Sequence, residues 1–106
     1  MKQKYNYRKL MFPIRMDKNS CDHEIEVVDG WTTGESLGLH KNVLGKWVLT
    51  DLFTGTRIVV RGTRDACIDW YKENSKRVYD TMQEPWYIQR VMEFRTLLEK
   101  ERKEIK

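Results

Sequence analysis

The chain has 106 residues, of which 40% are hydrophobic and 34% charged, so it is sized for one globular domain and cannot hold two independent cores. Its formal net charge is +4, and no stretch approaches the roughly 18 consecutive apolar residues that span a bilayer. Only five mostly apolar residues, Leu10 to Ile14, follow a basic N-terminal stretch, too few for a signal peptide, so a cytoplasmic protein without a membrane partner is expected.

Residues 5–16 are rich in β-formers, and Pro13 restricts them to an edge strand or an extended arm. Glu24 to Val28 alternates weakly as a short strand and is expected to end at an Asp29-Gly30 turn, with residues 31–36 in a loop. Leu37 to Lys41 opens a further strand, closed by Asn42 and Gly45. From Lys46 to Asp51, Trp47 and Leu49 share one face and Val48 and Thr50 the other. Thr54-Gly55 then supplies a turn suited to a hairpin with a bulge. Arg57 to Arg61 returns, with Ile58 and Val60 on one face and Arg57, Val59 and Arg61 on the other.

Gly62 breaks the strand, and Thr63 is placed to cap a helix whose first turn carries Asp65. That helix is predicted over Arg64 to about Met82, with Ala66, Cys67, Trp70, Tyr71, Val78 and Tyr79 inward. Pro85 suits the opening turn of a second helix, in which Tyr87, Val91, Phe94 and Leu98 make the inner stripe, widened by Ile88 and Leu97, and residues 99–106 are expected to fray. The predicted architecture is a single α+β domain, residues 1–106, with an antiparallel sheet of three to five strands packed against two C-terminal helices.

Charge is laid out in blocks. Residues 1–18 hold six basic side chains and one acid, residues 19–40 hold five acids and no Lys or Arg, and residues 41–64 are basic again. Either the blocks neutralise each other within the fold, or both are exposed to charged partners.

Residues 37–70 resemble a β-β-β-α arrangement found in small phage and mobile-element proteins. The resemblance rests on Trp47, Thr50 and Asp51 in one strand, the Thr54-Gly55 turn, and Gly62, Arg64 and Ala66 at the helix start. The segment is also similar to the arm-binding domains of tyrosine recombinases, in which a three-stranded sheet enters the DNA major groove. What the resemblance implies is a mobile-element origin, of the small accessory-protein kind, more than an activity.

Two binding surfaces follow. The acids Glu24, Glu26, Asp29 and Glu35 surround Trp31 in sequence; acids beside an aromatic anchor imitate nucleic acid and suit a basic groove on a host protein, itself a nucleic-acid-binding enzyme. The expected function is therefore a non-enzymatic protein that binds and modulates a host protein, in the manner of an anti-CRISPR-type inhibitor. The alternative is a DNA-binding module using Lys46, Arg57, Arg61 and Arg64 on a basic sheet face. Cys21 and Cys67 lie far apart and are expected to be free thiols; with His23 and His40 they lack the spacing of zinc modules. No oxyanion hole or orienting third group accompanies a Cys–His pair, and Gly30, Gly34 and Gly38 match no phosphate-loop fingerprint. No cofactor and no catalysis are expected.

Overall fold

In the computed structural model, residues 4–16 and 24–104 are described. Five strands, β1 (Arg8–Arg15), β2 (Ile25–Gly34), β3 (Leu37–Lys41), β4 (Trp47–Asp51) and β5 (Thr56–Arg61), form one antiparallel sheet in the order β1-β2-β3-β4-β5. Three helices follow: α1 (Arg64–Glu73), α2 (Ser75–Met82) and α3 (Pro85–Glu104). The α+β class and the meander covered by C-terminal helices are as predicted, and β1 is the edge strand that Pro13 demanded.

β2 departs from expectation. It runs ten residues, straight through the predicted Asp29-Gly30 turn and the predicted loop. Gly30 is not a turn residue: a Cβ there would lie 2.1 Å from the Leu39 carbonyl oxygen and 2.9 Å from the Phe12 ring. Gly38 on β3 is constrained likewise, with Phe12 at 2.7 Å. The two glycines let the Phe12 ring, 2% exposed, settle onto the sheet face that turns away from α1. The sheet curls as a result, and the Arg15 amide donates to the Gly55 carbonyl in the β4–β5 turn at 2.8 Å.

On the α1 side, Leu39 and Leu49 are fully buried, each favouring the fold by about 2 kcal/mol over exposure. They cluster with Leu37, Val59, Cys67 and Ile68. A bulge between Leu49 and Thr50 supplies the irregularity expected of this hairpin. It also corrects the face assignment of β5: Val59 pairs with Leu49, but Arg57 pairs with Thr50, so the two fall on opposite faces.

Thr63 caps α1 as predicted, its hydroxyl accepting from the Ala66 amide at 3.1 Å. The single predicted helix is two, because Asn74 breaks it. The Asn74 side chain donates to the Trp70 carbonyl at 2.9 Å and its backbone leaves the helical region, as Asn competes for the ladder it interrupts. The break turns Tyr79 outward, leaving it 63% exposed instead of in the inner stripe. α3 opens at Pro85 and continues to Glu104, past the expected fraying point. Phe94, 1% exposed, seats against Gly55, where a Cβ would meet its ring at 2.4 Å.

Candidate functional site

Where the β4–β5 turn meets the helices, a cleft of about 340 Å³ opens among the β2–β3 turn, β5, α1, α2 and the start of α3. Its floor is polar but satisfied. The Asp51 carboxylate accepts from the Phe53 amide at 3.1 Å, from the Thr54 hydroxyl at 3.0 Å and from the Tyr87 hydroxyl. Burial and the bond to Asp51 raise the Tyr87 pKa well above that of an ordinary phenol, so Tyr87 remains a protonated donor. Asp51 thus spends most of its acceptor capacity bracing the fold.

Aromatic rings make the walls: Trp70 and Tyr71 from α1, Trp86 and Tyr87 from α3, and Phe53 from the turn. Trp86 is 53% exposed and stands edge-on to Tyr87 at 6.3 Å. Three guanidinium groups, Arg57, Arg77 and Arg90, complete the lining, and Arg90 lies 5.8 Å from the Trp86 ring centre. Glu35 is an exposed acid in the lining. Its carboxylate and Asp51 raise the Tyr71 pKa, after the larger effect of burial. No His, Cys, Ser or Lys lines the cleft among the described residues.

Glu35 is held there by an unusual turn. Gly34 pairs with Leu37 across a two-residue loop, with φ of 58° at Glu35 and 61° at Ser36. Loops of that hand normally take Asn-Gly, because side chains other than Asn and Asp rarely adopt positive φ. The Thr32 hydroxyl braces the loop, accepting from the Gly34 amide at 2.9 Å and donating to the Leu37 carbonyl at 2.6 Å.

The other sequence-derived acids do not gather as a set around Trp31; on β2 only Asp29 shares its strand face. Glu26 and Asp29 lie on opposite faces of β2, and Glu35 is about 30 Å of extended strand from Glu26. Glu24 lies just before β2, beside Arg15 and the α3 residues Trp86 and Arg90. Asp29 is ion-paired with Lys9 at 3.2 Å, so part of the basic N-terminal block neutralises part of the acidic one. Trp31 has cations as neighbours: Lys9 at 4.6 Å and Arg64 at 5.0 Å from its ring centre.

The basic set also divides. Arg64 is boxed by Tyr7, Trp31 and Trp47, its guanidinium 4.2, 5.0 and 5.3 Å from their ring centres, and so is engaged inside the fold. Arg61 donates to the Val60 carbonyl at 2.8 Å, and Lys46 is exposed ahead of β4. Arg57 alone of the four lines the cleft. Sequence reasoning passed over Arg77, Trp86 and Arg90, although Trp86 and Arg90 stand one helical turn apart.

Cys21 and His23 lie outside the described residues. His40 and Cys67 sit on opposite sides of the sheet, and among the described residues no three His, Cys, Asp or Glu side chains gather to hold a metal. No described helix is long and apolar enough to cross a membrane. Compared with family models, curated proteins and solved structures, the chain matches none of them.

Proposed function

We propose that the protein is a non-enzymatic binding module for a single-stranded nucleic acid, gripped at the cleft between the sheet and its helices. The observation that carries this reading is the coincidence of exposed arginines with accessible aromatic rings in one concavity: Arg57, Arg77 and Arg90 beside Trp86 and Tyr71. Guanidinium groups hold phosphates while ring faces stack bases, the combination on which strand-binding proteins rely. The overall charge of +4 acts in the same direction, favouring the encounter with a polyanion. This keeps the nucleic-acid alternative drawn from the sequence and moves it from the open sheet face to the cleft.

The test is a fluorescence-anisotropy titration of a labelled DNA strand at two salt concentrations. Binding is expected to weaken steeply with salt, and the Arg77→Ala, Arg90→Ala double variant is expected to bind at least roughly tenfold more weakly with a shallower slope. Equal binding by the double variant would remove the cleft from consideration.

A second reading has its own observation. The β3–β4 turn presents Val43, 102% exposed, and Leu44, 81% exposed, as an apolar tip flanked by exposed Lys41 and Lys46. Such a tip suits a protein contact, in keeping with a phage or mobile-element accessory protein that occupies a host protein. It predicts that Val43→Asp with Leu44→Asp abolishes capture of a host protein from lysate while the Arg77, Arg90 pair is dispensable.

A further inference from the structure

The cleft carries more specificity than a phosphate grip requires. Resting on the nucleic-acid reading above, we infer that it takes one unstacked base and prefers guanine, with Glu35 accepting hydrogen bonds from the guanine edge.

Three features of the site support this. The first is size: about 340 Å³ suits one base with its sugar, at the lower end of small-ligand sites, and is too small for a duplex. The second is the division of chemistry within the lining. Arg57, Arg77 and Arg90 supply only donors, which match phosphate oxygens, whereas Glu35 supplies only acceptors. Asp51, the other carboxylate in the lining, already takes three donors within the fold and has little left for a ligand. Glu35 makes no hydrogen bond or ion pair among the described residues apart from its influence on Tyr71. The third is conformational. Glu35 is retained at positive φ in a turn that Asn-Gly would fill with less strain, and strain of this kind concentrates at functional positions.

A carboxylate distinguishes bases by the donors they present. Guanine offers N1–H and the N2 amino group side by side, matching both carboxylate oxygens. Adenine and cytosine offer an amino group next to an acceptor, and thymine only N3–H between two carbonyls. Guanine is the base that satisfies Glu35 without setting an acceptor against it. The aromatic walls add stacking that is indifferent to base identity, so preference rests on Glu35 and retention on Trp86 and the arginines.

The experiment compares oligothymidylates that carry one central guanine, adenine, cytosine or abasic site, titrated against the full chain and against Glu35→Gln. The guanine strand is expected to bind roughly tenfold more tightly than the all-thymine strand. Glu35→Gln is expected to erase that preference, so that the guanine and all-thymine strands bind the variant alike. Trp86→Ala is expected to weaken every strand, whichever base it carries at the centre. If all strands, the abasic one included, bind equally and the arginine double variant still weakens them, guanine recognition is overturned and the strand-binding reading stands. If no strand binds, or polyglutamate displaces the strands at equal charge, both fall. Circular dichroism of Glu35→Gln, whose substituted side chain is exposed, separates loss of recognition from loss of fold.

Discussion

The missing Cβ at Gly30 is what lets β2 and β3 approach beneath the Phe12 ring. At Gly30 any side chain would drive into the Leu39 carbonyl, and neither backbone can yield without breaking the β2–β3 ladder. Gly30→Ala is therefore expected to destabilise by about 3 kcal/mol or more, lowering the melting temperature by roughly 10 °C or more in a thermal unfolding scan. The opposite sign is expected at the β2–β3 turn. Replacing Glu35-Ser36 with Asn-Gly (E35N/S36G) relieves two positive-φ side chains and should stabilise by about 1 kcal/mol while abolishing guanine preference. A more stable and less selective variant is the outcome that ties strain to function at this residue; loss of stability would show that the turn is unstrained.

At the scale of elements, recognition depends on where helices stop. Asn74 ends α1 and lets α2 change direction, and Pro85 opens α3 so that Trp86 and Tyr87 face the same concavity as Trp70 and Tyr71. A continuous helix across Asn74 would have aimed Tyr79 inward and left that concavity without its Arg77 side. The α1 N-terminus is independent of this arrangement. Thr63→Ala removes the acceptor for the Ala66 amide and should cost about 1 kcal/mol in chemical denaturation, with strand affinity unchanged. Reduced affinity in that variant would couple the α1 cap to the cleft.

Across the whole molecule, charge segregation resolves into contacts between distant segments. Residues 4–7 are tied to α1: Lys4 pairs with Asp69 at 2.8 Å, Tyr5 donates to Asp69, and Tyr7 donates to Asp65. Bonds from Lys4 and Tyr5 hold the Asp69 carboxyl below its usual range, but the site is exposed, so salt should screen this tether. His40 gives the fold a clearer pH response. Its ring lies 6.0 Å from Phe12, its Nδ1 is buried without a partner among the described residues, and burial lowers its pKa, opposed in part by Glu26. A depressed folded-state pKa means that the unfolded chain takes up the proton first. The neutral ring's contribution is thus present above the ordinary histidine range and lost as pH falls below about 6.5 toward the folded value. His40→Phe is expected to flatten that acid limb of melting temperature against pH while retaining the contact with Phe12. An unchanged acid limb would place the response elsewhere.

Much of this was legible in the residues. Alternation at Trp47 to Asp51, the Thr54-Gly55 turn, the Thr63 cap and Pro85 are local signals, in which a dihedral preference or a nearby hydrogen bond settles the outcome within a few positions. Asp29-Gly30 misled because glycine has two uses, positive φ and close approach, and only a neighbour distant in the chain distinguishes them; here those neighbours are Phe12 and Leu39. The cleft was illegible for the same reason. Glu35, Arg57, Arg77, Trp86 and Arg90 come from one turn, one strand and two helices, and their meeting depends on the curl of the sheet and the break at Asn74. Pattern along a chain reports which way each side chain faces, while long-range packing determines which faces meet.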